Sequence, residues 1–326
     1  MPEPLPPNPF DPPSHEHTAY ESCLNLQSLW FSPQVAARVL GYALIHHPGS
    51  SMAMAREISG CDDNAEFMAG LGYLMFKGSV LAQPESPPDS IDIAALSNLS
   101  QSTGASPNDA KKLVSKDSER CSGSQLRLQV LARDNYRCIL SGNVDAASLR
   151  NGLTTIDLVA GERKADMELC YIFKMTGDEE QGYIGGGLTD VARRKLGWAS
   201  SAAAVLERLA GIPMVQDIHE AENTFTISPN LHGPWDQLQI SLHPIASEED
   251  DSSNMYEIHT YPPSENTRYG LPYRTTNTLP SRRYLALHDA CAKIAYLSGA
   301  GEVMERLFLD VGNARVLAED GGIGVF

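Results

Sequence analysis

Apolar positions recur at helical spacing through the first part of the chain. From Tyr20 to about His47 they run Leu26, Leu29, Trp30, then Val35, Val39, Leu40 and Leu44. Ser32-Pro33 is placed to start a second helix within that stretch, and Pro48-Gly49 to stop it. The pattern predicts two further helices, over 52–58 and 65–81. The second carries Phe67, Met68, Leu71, Leu74, Met75 and Phe76, a stripe that reads as core packing. Large apolar residues then thin out over 84–124, where Pro, Ser, Gly, Asn and Lys make a linker composition.

Beyond it a helix over 125–135 gives way to short apolar runs. Strands are expected at 156–160, around Tyr171, at 224–227, at 238–242 and at 255–261, with a brief helical turn about His232. A long helix or helix pair is expected over 188–209, ended by Gly211-Ile212-Pro213. After an irregular segment to Ser281, helices are expected over 285–298 and 302–309. The elements define an α+β chain with an N-terminal helical sub-domain. Its divisions are a Pro-rich arm (1–18), the helical sub-domain (19–82), the linker (83–124), a mixed core (125–261), and an irregular segment with C-terminal helices packing on that core (262–326). The arm is expected to be disordered, since its prolines cannot donate to helix or ladder bonds.

Composition narrows the function classes. The chain has 326 residues, 42% of them hydrophobic, enough for a substantial core in two sub-domains. Its formal charge of -16 and the lack of any basic run argue against a nucleic-acid partner, because such binding rests on Lys and Arg contacts to phosphates. The six cysteines form no CxxC pair, which points to reduced thiols and a cytoplasmic location rather than a disulfide framework. No apolar run approaches the roughly 20 residues of a membrane span. The glycines of 182–187 lack the GxxxxGK[ST] order of a phosphate loop and read as a hinge.

Three segments carry candidate chemistry. The first is Arg133-Asp134-Asn135-Tyr136-Arg137-Cys138, followed by Ser141-Gly142. The second is the strand Glu168-Leu169-Cys170-Tyr171-Ile172-Phe173. The third opens at Asn223, passes through a strand and a Ser228-Pro229 turn, and reaches His232 and the pair Trp235-Asp236. In content and order they resemble the site of HNH endonucleases. The chain is similar overall to the HNH-nuclease-domain proteins of filamentous and mushroom-forming fungi, a likeness that extends to Met54–Cys61, Leu206–Ile212 and Leu285–Ala300. That resemblance implies a ββα-metal core, two strands and a helix gripping one divalent ion, with helices packed around it. It also implies that Asn223 orients the catalytic base and that His232 ligates the metal. The base position holds Tyr171, and Cys170 beside it replaces a small residue. A phenol, with an ordinary pKa near 10, is a poor base at neutral pH.

Three functional readings follow. In the first, the degenerate site has become a pocket for a small-molecule substrate of fungal secondary metabolism. It would run a cofactor-free, metal-independent cyclisation of the pericyclase type on a terpenoid or polyketide intermediate. Tyr171 and His232 would be its catalytic donors, with Trp235, Asn223, Cys170 and Phe173 lining it. In the second, an inactive HNH-like module binds a protein. In the third, a displaced base serves a working endonuclease, with one Mg or Zn ion on His232. An apolar pocket favours the first reading, a flat hydrophobic patch the second, and a metal-sized cluster of His232 with carboxylates the third.

Overall fold

The computed structural model of the chain describes residues 2–28, 34–46, 51–65, 67–68, 71–72, 123–154, 163–173, 221–245, 255–263, 267–270 and 279–301. Two compact units divide it: Met1–Gln83 with Met175–Met214 and Asp289–Phe326, and Pro84–Lys174 with Val215–His288. Most of the linker at 83–124, the strand expected at 156–160, the hinge at 182–187 and the helices expected over 188–209 and 302–309 lie outside the described residues. So does much of the helix expected over 65–81, whose described positions are helical.

In the first unit the apolar spacing produces α1 (His15–Ser28), α2 (Gln34–His46) and α3 (Ser51–Ser59). Ala19, Tyr20, Cys23 and Leu26 form the buried stripe of α1, while α2 buries every residue from Val39 to Leu44. Here the sequence expectation needs a correction. The Pro-rich arm is ordered, not disordered. Its prolines cannot donate, but their carbonyls accept from distant phenols: Tyr20 donates to Pro6 O at 3.1 Å, and Tyr42 to Pro4 O at 3.0 Å. The Leu5 amide donates to Gln27 Oε1 at 3.0 Å, and its side chain, 7% exposed, lies over the bare Cα of Gly41. Burial of Leu5 and these hydrogen bonds offset the cost of ordering the arm.

The second unit starts with α4 (Gly123–Arg133) and a turn to β1 (Val144–Asp145). The short α5 (Ala146–Arg150) is capped by the Asp145 carboxylate, which accepts from the Ser148 amide at 2.8 Å. The other oxygen of that carboxylate accepts from the Met167 amide, also at 2.8 Å, which sets the chain on course for its next strands. β2 (Lys164–Ala165) pairs parallel to β1; neither two-residue strand is apparent from alternation. β3 (Glu168–Tyr171) and β4 (Thr224–Ile227) form an antiparallel ribbon, and α6 (Pro229–Asp236) follows β4 directly. A separate antiparallel sheet joins β5 (Ile240–Pro244), β6 (Met255–Thr260) and β7 (Thr267–Gly270) in that order. β7 falls in a stretch expected to be irregular and so corrects that expectation too. The chain then enters α7 (Arg282–Ser298), and the boundary between the two units falls after His288 on this helix.

In the first unit, burial pushes the His46 imidazole down from its ordinary 6.5 to about 4, and Lys293 adds to the shift. The folded chain therefore favours neutral His46. Between pH 6.5 and about 4 the unfolded chain takes up a proton that the folded chain refuses, so stability falls as pH drops through that window. Urea midpoints measured across this range should decline, and His46→Gln should flatten part of the decline. An unchanged slope in the variant would refute this assignment.

Candidate metal centre

The centre is built on the β3–β4 ribbon. Pairing sets Glu168 opposite Ile227, Leu169 opposite Thr226, Cys170 opposite Phe225 and Tyr171 opposite Thr224. Directly opposed residues share a face, and faces alternate along each strand. Phe225 meets the Trp235 ring of α6 edge-on at 4.7 Å, so Glu168, Cys170, Phe225 and Ile227 face α6. Leu169 and Tyr171 lie on the opposite face.

Buried polar groups hold this ribbon in place. The Arg133 guanidinium, 3% exposed, donates to Asp134 Oδ1 at 2.7 Å and to the Thr224 carbonyl at 2.7 Å, and it also reaches the Ala221 carbonyl. The Asp134 carboxylate, fully buried, accepts in turn from the Thr226 amide at 2.7 Å. Cys138 Sγ accepts from the Ser141 and Ser228 amides, each at 3.3 Å, and ties the turn after α4 to the end of β4. Asn223 bridges the exit of β3: its Oδ1 accepts from the Phe173 amide at 3.0 Å, and its Nδ2 donates to the Phe173 carbonyl at 2.7 Å. The Arg-Asp pair, the Cys and the Asn of the sequence motif thus act as scaffold.

α6 starts where Ser228 and Pro229 pre-set the first turn, with Pro at an N-terminal position whose amide needs no partner. It ends at Asp236 with Gln237 as its C-cap, and Leu238 beyond it, with a left-handed φ of 57°, turns the chain toward β5. On this helix His232 and Asp236 are four residues apart and share a face. His232 Nδ1 lies 2.6 Å from Glu168 Oε2. The carboxylate there accepts a hydrogen bond from Nδ1–H, and in the neutral imidazole this tautomer leaves the lone pair on Nε2. Nε2 is buried and has no hydrogen-bond partner among the described residues; Asp236 Oδ2 lies 3.6 Å away, beyond hydrogen-bond length. Cys170 Sγ completes the cluster. Single ligand atoms of Cys170, His232 and Asp236 all fall within 4.8 Å of one another.

Two ligands held at 2.0–2.3 Å by one tetrahedral ion stand roughly 3.5 Å apart, so small side-chain rotations close this set around a cation. An orphaned imidazole nitrogen, a carboxylate and a thiol, with a carboxylate behind the ring, fit a divalent ion.

The residues marked by the sequence separate into two groups. His232 and Cys170 come together. Asn223, Trp235 and Phe173, assigned to a substrate pocket, are instead core: their exposures are 0%, 0% and 2%. Trp235 stacks on His288 at 3.9 Å, and Phe173 meets Tyr284 edge-on. Tyr171, expected to face His232, lies on the opposite face of the ribbon because it follows Cys170 in an extended strand. Glu168 and Asp236 are the site residues that sequence reasoning passed over. Glu168 is two positions from Cys170 on a strand and Asp236 is four from His232 on a helix, and those spacings bring both to the site.

No known protein family, curated protein or solved structure matches the chain.

Replacing Arg133 by Met strands the Asp134 carboxylate in the interior. Loss of one partner of a buried pair costs about 3–5 kcal/mol. Arg133→Met should therefore lower the urea midpoint sharply, and adding Asp134→Asn should recover part of the loss through their coupling. Simple additivity of the two changes would contradict the clamp.

Proposed function

We propose that this chain is a divalent-metal-binding protein of HNH type that keeps the ion-holding half of the site and has lost the water-activating half. One observation carries the reading: a buried His232 Nε2 without a hydrogen-bond partner among the described residues, beside Asp236, on a ring whose other nitrogen is held by Glu168. An imidazole fixed from behind by a carboxylate is the usual arrangement around ligating histidines. A bound divalent ion would act there as a Lewis acid toward an oxygen of whatever ligand enters.

The chain's own residues do the rest. Glu168 holds the Nδ1 proton and orients the ring, while His232 and Asp236 present ligand atoms from one helical face. General-base work would fall to the strand position held by Tyr171, a phenol that projects to the other face. Binding without efficient phosphodiester cleavage is the outcome. The formal charge of -16 supports the same conclusion, since it weakens any hold on a polyanion. The cyclisation reading needs Trp235 and Phe173 as an apolar cavity wall. Both side chains are packed into the core, so that reading is not adopted.

Calorimetric titration with Zn²⁺ should give one ion per chain, with binding abolished in His232→Ala. Glu168→Gln should weaken it about 10- to 100-fold, the usual effect of losing such a supporting carboxylate. Plasmid nicking with Mg²⁺ or Mn²⁺ should be no faster than in His232→Ala. A protein that binds no ion would overturn the reading, and robust cutting lost in His232→Ala would overturn the claim of a missing base.

A further inference from the structure

Cys170 is the residue that the proposed function leaves unused. It is fully buried, and its neighbours are of two kinds: the apolar core at Phe225, and the polar side chains of His232 and Asp236. Its thiol also contacts the Tyr171 carbonyl at 3.6 Å, a weak bond. A cysteine in an apolar core behaves as a small hydrophobe and gives no chemistry. Cys170 differs in its second set of neighbours. The strand alternation that buries it also points it to the α6 face, where its Sγ lies within 4.8 Å of a ring nitrogen of His232 and a carboxylate oxygen of Asp236.

We propose that Cys170 ligates the metal through its thiolate, making a Cys-His-Asp centre for zinc or another thiophilic ion and not for magnesium. The inference rests on the metal reading of the same site and adds its chemical selectivity. Three donors of sulfur, nitrogen and oxygen match tetrahedral zinc, with a fourth position for water or an anionic oxygen ligand. Magnesium demands octahedral oxygen donors and sheds its waters reluctantly, so a buried thiol is a poor place for it. On binding, the Sγ–H bond breaks, the proton goes to solvent and the sulfur electron pair goes to the ion. No oxidant or reductant takes part.

The third ligand also accounts for two departures at adjacent positions. HNH-type hydrolysis pairs a hard ion with a histidine base, whereas this strand carries Cys170 and Tyr171. A thiolate ligand replaces the hard-ion preference at the point where the base is lost. Solvent reaches the site beside its two carboxylates, Glu168 at 45% and Asp236 at 26% exposed, against 13% for His232.

Cobalt(II) is the probe, because a thiolate ligand gives it an intense near-ultraviolet charge-transfer band that nitrogen and oxygen ligands do not. The full-length protein, titrated with Co²⁺ under reducing conditions, should develop that band with one equivalent. Cys170→Ser, checked for native secondary structure by circular dichroism, should lose the band while still binding Co²⁺ more weakly. Zn²⁺ should quench the band and a large excess of Mg²⁺ should not. One-equivalent binding without the band, or a band that persists in Cys170→Ser, would overturn the thiolate ligand while leaving the His232 site standing. No saturable binding at all would sink both proposals. If Cys170→Ser fails to fold, alkylation of wild-type protein provides the second readout, in mild urea at which the buried Cys170 of the ion-free protein is measurably labelled: Zn²⁺ should protect Cys170 as measured by peptide mass more than it protects the buried Cys138, and equal protection of the two, or none, counts against the proposal.

Discussion

The register of β3 against β4 decides what kind of site this protein has. With Cys170 opposite Phe225, the strand turns Glu168 and Cys170 toward α6. A slip of one residue would exchange both faces and present Leu169 and Tyr171 instead, an apolar group and a phenol in place of two ligand-type side chains. Such a slip is blocked from three directions. Asn223 staples the end of β3 through both backbone groups of Phe173, the Arg133–Asp134 pair grips Thr224 and Thr226, and Cys138 holds the amide of Ser228. Each is a hydrogen bond to a buried group, costly to leave unmade.

From that register the centre follows. α6 leaves β4 through a Ser-Pro turn, so its first turns lie against the face that carries Glu168 and Cys170. Trp235 is the anchor of this packing, edge-on to Phe225 and stacked on His288, and it fixes the rotation of α6. Given that rotation, His232 and Asp236 look toward β3. The 2.6 Å contact with Glu168 favours the tautomer with the proton on Nδ1, which turns Nε2 toward the cluster. Scaffold and candidate ligands therefore come from the same motif, with the scaffold residues and Cys170 buried and His232 and Asp236 at the edge of the core.

Much of this was legible in the sequence, and the failures have physical causes. β4, the turn at Ser228-Pro229 and the helix at His232 are written in local signals, namely alternation, a proline-started turn and short-range spacing. β5 begins two residues later than alternation suggests because Leu238 adopts a left-handed backbone conformation just beyond the end of α6. The arm misled because composition shows only that prolines cannot donate. The donors that capture it, Tyr20 and Tyr42, lie elsewhere in the chain. Tyr171 misled in another way. Its motif position suggested that it faces His232, while strand alternation gives that orientation to Cys170. Pairing Trp235 and Phe173 with a pocket likewise overlooked that large aromatics beside a motif are first of all core.

The central claim concerns the ligand set, and zinc K-edge X-ray absorption of the zinc-loaded protein tests it most directly. The account predicts a first shell with one sulfur at about 2.3 Å and the remaining nitrogen and oxygen donors at about 2.0–2.2 Å, four in all. It also predicts that the sulfur contribution vanishes in Cys170→Ser. A first shell of nitrogen and oxygen alone, or one unchanged by substitution of His232, would contradict it.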